Sequence, residues 1–265
     1  MIDLHSHILP CIDDGSRSME MSLEMARMAV DSGITTMACT PHIYPGLYMN
    51  DTSGIVAARD VLQRELDDKG IPLQLTIGAD VHLVPGLIDG LRAGRIPSLH
   101  RTRYLLLEPS HHVAPPRFQE SVFQLVAAGY VPVITHPERL TWVEDNYGVF
   151  ADLVRQGAWM QVTAGALTGV FGTRAKYWGE RFVADGLTHI IASDCHSSGK
   201  RSPLAMQKAG EIAQRMLGKE EAALVMRGRQ QKILENAVPS TVPPPPRVES
   251  TGNKSWWKGL FGARG

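Results

Sequence analysis

The chain opens MIDLHSHILPCIDDG (Met1–Gly15). Met1–His5 reads as a β-strand that ends in His5-Ser6-His7 and is followed by Asp13-Asp14-Gly15. Residues two apart on a strand point the same way, so His5 and His7 can grip one ion. A lone histidine at a strand end is usually structural, and Asp-Gly is usually a turn. The rest of the chain decides between those readings.

Short β-rich apolar runs alternate with longer amphipathic ones, the pattern of βα units around a parallel sheet. Strands are expected near Met1–His5, Thr35–Thr40, Leu73–Ala79, Tyr104–Leu107, Val131–Thr135, Trp159–Thr163 and Thr188–Ser193. Helical patterns lie between them, at Met19–Ser32, Ile55–Asp68, Pro85–Leu91, Arg117–Ala128, Asp145–Gln156 and Arg174–Ala184. Three more, Leu204–Leu217, Lys219–Met226 and Gln230–Asn236, close the body. Gly33, Gly129, Gly157 and Gly186 stand where a helix should stop before the next strand. Seven βα repeats suggest a distorted α/β barrel without an eighth strand, and periodicity alone leaves an open doubly wound sheet as the alternative.

Thr40-Pro41-His42, Asp80, Glu108, His136 (in HPER) and Asp194-Cys195-His196 fall at the ends of five further expected strands. Only the sixth strand, ending Thr163-Ala164-Gly165, carries no such donor. In a parallel barrel these ends open on one face, where active sites lie. Carboxylates crowded there repel one another unless cations lie between them. Imidazoles mixed with carboxylates suit Mn, Fe, Zn or Mg. About nine donors are too many for one ion, so two or three divalent ions with a bridging carboxylate are expected. Such clusters usually hydrolyse phosphate esters.

The segment SDCHSSGKRS (Ser193–Ser202) also contains Cys195 and Arg201 at the Cys-x5-Arg spacing of a thiolate phosphate cradle. Cys11 and Arg17 share that spacing although Asp13 and Asp14 lie between them, and CHSSGKR holds only Gly199 for the amide-lined turn a cradle needs. Metal chemistry is therefore preferred, with Cys195 a small buried side chain and Arg139 and Arg201 binding phosphate.

Lys plus Arg (27) equals Asp plus Glu (27) in 265 residues, which gives no field for nucleic acid. Three cysteines, the lack of a signal-like N-terminus and the lack of a long apolar run point to the cytoplasm. From Pro239, PSTVPPPPRVESTGNKS reads as an extended, mobile tail that ends in WWKGLFGARG. Residues 1–238 are then the catalytic domain and 239–265 a tail. That tail is either simply disordered or a weak anchor, with Trp256, Trp257 and Phe261 at a membrane surface or in a partner's groove. Subunit number is left open, a homo-oligomer included.

HSHILPCIDDG, GAD, HPER and SDCHSSGKR, in this order over residues 1 to about 236, resemble the polymerase-and-histidinol-phosphatase (PHP) superfamily. Within it they are similar to the bacterial capsule- and exopolysaccharide-operon protein-tyrosine phosphatases. The resemblance implies a distorted seven-stranded barrel, a three-metal site, often manganese, and action on phosphotyrosine of an autophosphorylating kinase. It assigns one ion to His5, His7, Asp194 and a bridging Asp80, a second to Asp80, Glu108 and His136, and a third to Asp14, His42 and His196. It places Arg139 and Arg201 on the phosphate. Asp80 departs from the family pattern, where the bridge is usually Glu. The loop SHHVAPPRF is expected to hold the aryl ring, with His111 and His112 as loop residues and His82, His100 and His189 as structural ones. The competing substrates are a small phosphate such as histidinol phosphate, or a nucleic-acid end, and the remaining alternative is a non-catalytic docking module.

Overall fold

In the computed structural model, which describes residues 1–246, the first strand, β1 (Ile2–Ser6), is buried along its whole length. The other strands are β2 (Thr36–Cys39), β3 (His42–Ile43), β4 (Gln74–Ile77), β5 (Asp80–His82), β6 (Tyr104–Glu108), β7 (Val131–Thr135), β8 (Trp159–Thr163) and β9 (Ile190–Ala192). They form two parallel sheets, ordered β1-β2-β4 and β3-β5-β6-β7-β8-β9. Burial on both faces explains why most of them read as continuous apolar runs.

Two of the seven expected strands are each followed, past a break, by a short strand beyond the expected bounds, β3 and β5, which gives nine strands in place of seven. The first break falls at Thr40-Pro41, where proline has no N–H to give a ladder. The second falls at Gly78-Ala79. A Cβ on Gly78 would sit 2.8 Å from a methyl of Leu99 and 3.0 Å from that of Thr40, so glycine lets those side chains close on the backbone at the break. Below the breaks β4 pairs with β2 and β2 with β1, and above them β3 pairs with β5 and β5 with β6. Asp80 therefore begins a short strand of its own. A parallel bridge between Ser6 and Cys195 ties the end of β1 to the segment after β9. His7 N–H donates to Cys195 O and Asp194 N–H to His5 O, each at 2.9 Å.

The helices are α1 (Met19–Asp31), α2 (Thr52–Asp68), α3 (Leu87–Arg92), α4 (Phe118–Ala127), α5 (Val143–Arg155), α6 (Ala164–Leu167), α7 (Gly172–Ala184), α8 (Ala205–Leu217), α9 (Lys219–Ala223) and α10 (Arg229–Leu234), and all but α6, which was not expected, follow their sequence patterns. In α1, Ser22, Met25, Ala26 and Ala29 repeat at helical spacing and are buried, while Ser18 caps the N-terminus by accepting from Met21 N–H. Gly33, Gly129, Gly157 and Gly186 all have positive φ, as their C′ positions require. The helix expected over Lys219–Met226 is shorter, because Leu224–Gly228 forms a π-helical turn. Arg229, fully buried, grips Glu221 through both terminal nitrogens and donates to Pro243 O at 2.8 Å. Val242 is buried as well, so the chain is held to the body at Val242 and at the Pro243 carbonyl. Trp256, Trp257 and Phe261 lie outside the described residues. Among the described residues no helix is long and apolar enough to cross a membrane.

Candidate metal centre

His5 and His7 leave the end of β1 with their rings 5.3 Å apart. Each has one nitrogen tied down. His5 Nδ1 lies 2.8 Å from Gln161 Oε1 on β8, which fixes the tautomer as Nδ1–H and turns Nε2 into the centre. His7 Nδ1 is held by Asp13 Oδ2 at 2.6 Å. Asp13 also accepts from Gly15 N–H at 2.9 Å and from His42 N–H at 3.1 Å. The Asp13-Asp14-Gly15 turn is thus a clamp on the site. A Cβ on Gly15 would lie 2.2 Å from His7 O, so no other residue fits there.

Three carboxylates stand among the imidazoles. Asp80 Oδ2 lies 3.3 Å from His5 Nε2, 3.7 Å from His42 Nδ1 and 3.8 Å from His136 Nε2. Glu108 Oε2 faces His42 Nδ1 at 3.3 Å, and Oε1 faces His136 Nε2 at 3.6 Å. Asp194 Oδ1 faces His5, His7 and His196 at 3.4–3.5 Å. A fourth carboxylate, Asp14, reaches in from the rim, where its side chain is 47% exposed, to His42 Nε2 at 3.5 Å and His196 Nε2 at 3.4 Å. All nine residues assigned by the resemblance therefore meet. His136 and Asp194 adopt left-handed backbone conformations (φ 35° and 50°), which turn the chain sharply just past β7 and β9.

The charges show what the cluster lacks. Burial disfavours charge on His5 and His42, yet their carboxylate neighbours raise them to about 9 and about 10. Burial lowers His136 and His196 to about 4, helped by Arg139 and His7 respectively. Burial works against ionisation of Asp80, Glu108 and Asp194, but surrounding imidazoles, and Arg201 at Asp194, hold all three below the usual range. Protons on His5 and His42 thus supply positive charge that cations would otherwise bring. Among the described residues, His42 Nδ1, Asp80 Oδ2 and Glu108 Oε2 are buried without a hydrogen bond. Leaving such groups unpaired costs on the order of 1–3 kcal/mol each, more when charged. Their donor types and convergence fit divalent cations. Four sets lie within 4.8 Å: His7, Asp14, His42 and His196; His5, His7 and Asp80; His42, His82 and Glu108; Glu108, His111 and His136.

His82 and His111, expected to be structural and loop residues, both touch Glu108. His82 sits two residues beyond Asp80, the same spacing that pairs His5 with His7. The sign was hidden because the expected strand ended at Ala79. His111 left no such sign, since a loop has no period. His100 bonds Thr76 Oγ1, and His189 Nδ1 accepts from Met160 N–H at 3.1 Å, both away from the centre.

Arg139 and Arg201 both donate to Asp194 Oδ2, at 2.5 and 2.8 Å. Their guanidinium carbons lie 4.4 and 5.6 Å from the centre of the Phe171 ring. Phe171 in turn rests on Gly165, where a Cβ would come 2.7 Å from its ring. The strand end without a ligand therefore supports the arginines. Cys195 is fully buried, and burial together with Asp3 pushes its thiol up. That is the reverse of an activated nucleophile, and the thiolate reading fails on it.

These features define a parallel α/β protein with a His/carboxylate cluster that could hold metal ions, built at the ends of β1, β6, β7 and β9 and at the starts of β3 and β5. The chain belongs to the capsular polysaccharide synthesis CpsB/CapC family, whose model matches residues 1–235. It is 36% identical to tyrosine-protein phosphatase YwqE of Bacillus subtilis over 248 residues, 93% of this chain and 96% of that one. It is 31% identical to the putative tyrosine-protein phosphatase CapC of Staphylococcus aureus, over 76% of this chain and 79% of that one. Among solved structures, one from the work on YwqE of Bacillus subtilis and CpsB of Streptococcus pneumoniae, metal-dependent tyrosine phosphatases, matches with a TM-score of 0.87 and 34% identity. The match covers 94% of this chain and 100% of that one.

Proposed function

We propose that this protein is a metal-dependent phosphatase that hydrolyses phosphotyrosine in a protein substrate, the tail of a capsule- or exopolysaccharide-operon tyrosine kinase. The observation that carries this reading is the convergence of nine imidazole and carboxylate side chains, with His42, Asp80 and Glu108 leaving buried atoms unpaired, in a chain related over most of its length to tyrosine phosphatases. His5, His7, Asp80 and Asp194 would hold one ion, Asp80, Glu108 and His136 a second, and Asp14, His42 and His196 a third, with manganese first among Mn, Fe, Zn and Mg. Asp80 Oδ2 lies nearly midway between His5 and His136, which supports its bridging role despite the short side chain. The Ser6–Cys195 bridge supports reading the two sheets as one interrupted seven-position barrel.

When bound, the ions would supply positive charge at the phosphoryl oxygens and lower the pKa of water toward ~7. His5 and His7 are locked by Gln161 and Asp13 and so keep their Nε2 atoms aimed inward. Arg139 and Arg201, anchored on Asp194, present their remaining N–H groups to equatorial oxygens as charge builds there. A phenol with pKa ~10 leaves with less help than an alkoxide, so the site needs no dedicated acid for aryl phosphates. Beside the centre lies a cavity of about 280 Å³ lined by Tyr44, His82, Val113, Ala114, Pro115 and Pro116 among others. Its apolar walls suit a tyrosyl ring. The tail beyond the described residues, with Trp256, Trp257 and Phe261, is read as a weak peripheral contact with a membrane or partner.

Metal content and turnover should be measured together, on phosphotyrosine peptide and on histidinol phosphate, before and after chelation. The reading requires bound divalent ions, loss of activity on chelation and preference for the peptide. Faster turnover of histidinol phosphate would move the substrate to small alkyl phosphates, and full activity after complete removal of metal would sink the mechanism.

A further inference from the structure

We propose that His82 is itself a ligand of the metal centre, on the Glu108 side, outside the nine-residue set. The inference rests on the metal-centre reading and adds a residue to it. In the ladder between β5 and β6, His82 lies directly opposite Glu108, so the two side chains leave the sheet as lateral neighbours. On β5 itself His82 is two residues from Asp80, hence on the same face. His82 Nε2 reaches 2.5 Å from Glu108 Oε2. At that separation a hydrogen bond would be short and strong, yet Glu108 Oε2 makes none. The nitrogen and the oxygen do not point at each other. His42 Nδ1, itself unpaired, lies 3.3 Å from the same oxygen.

The three atoms, from β3, β5 and β6, lie within 4.8 Å of one another. That is the span of donors around a single ion at ~2.0–2.2 Å from each. The ring of His82 is also pre-set. Tyr44 stacks on it at 3.9 Å with an angle of 9° between the planes, and only 18% of the His82 side chain is exposed. His111 is the contrast. It also approaches Glu108, through Oε1 at 3.1 Å, but there the geometry is that of an ordinary hydrogen bond. His111 orients the carboxylate, and His82 shares its ion.

A second imidazole beside Glu108, next to that of His136, makes this position softer than carboxylates alone. It should hold Zn(II), Co(II) or Fe(II) in preference to Mg(II). The test uses the full chain loaded with Co(II), comparing wild type with His82→Ala and with His82→Gln, which keeps a polar group beside Glu108. Three readouts apply: bound metal per chain after dialysis, affinity by chelator competition, and paramagnetically shifted imidazole N–H resonances. Ligation by His82 predicts that both variants lose one shifted imidazole resonance while the others persist. It also predicts an affinity for one ion lowered at least about tenfold, with less discrimination against Mg(II).

Unchanged stoichiometry, affinity and resonance count in either folded variant overturns the inference and leaves the metal centre standing. A weaker affinity with every resonance retained also overturns it, because His82 would then act only by holding Glu108. Wild-type protein that binds no ion removes the metal-centre reading itself, and this inference with it.

Discussion

At the scale of single residues, the centre depends on side chains that fix other side chains. Asp13 touches His7, His42 N–H and the Gly15 amide at once. Asp13→Ala should therefore lower metal affinity about 10- to 100-fold without removing a ligand, as chelator competition can show. His136→Ala or Asp194→Ala should abolish aryl-phosphatase activity, whereas Cys195→Ser should keep most of it. A folded, metal-loaded Cys195→Ser protein without turnover would reinstate the thiolate. His189 gives a separate prediction, away from the metals. Burial, then Arg229, lowers it to about 3, against ~6.5 when unfolded. The unfolded chain thus takes up the proton first as pH falls. The stability that His189 contributes is complete above pH ~6.5 and drains away below it, by about 2 kcal/mol at pH 5. Denaturant unfolding of wild type minus His189→Gln should isolate that slope.

At the scale of elements, the breaks in the strands matter more than their lengths. Gly78 lets the chain turn from β4 into β5, and the Cβ of Gly78→Ala would press on Leu99 and Thr40. Overpacking of this kind costs about 1–3 kcal/mol, so the thermal midpoint should drop, and β5, which carries Asp80 and His82, should lose order first in hydrogen exchange. Gly165 acts differently. Its Cβ in Gly165→Ala would strike the ring on which Arg139 and Arg201 rest. Metal content should then be unchanged while turnover falls and KM rises. Equal activity in this variant would show that Phe171 does not position the arginines. Local sequence gave most helices and their glycine stops, because capping and apolar period are short-range effects. It stopped at Thr40 and Ala79 and missed β3 and β5 just beyond, because two or three residues past a bend are too few to show a period.

At the scale of the whole molecule, donors spread from His5 to His196 are brought within a few ångströms of one another. The inward-facing carboxylates make this assembly costly when no cation balances it. Chelation should therefore lower the thermal midpoint as well as activity, and restoring Mn(II) should raise it in a concentration-dependent way. Calorimetry across a metal titration would measure both.

Taken alone, the sequence determined the kinds of donor, the places of most of them at strand ends and the alternation of helix and strand. Each of those depends on residues a few positions apart, and the period of a strand or the stop of a helix is set within one turn. Tertiary structure decided which donors meet. The register of β5 on β6 set His82 against Glu108, the fold of a loop brought His111 to the same carboxylate, and packing on Phe171 drew Arg139 and Arg201 to Asp194. Those contacts join segments far apart in the chain, and no local pattern encodes the register or the packing that creates them.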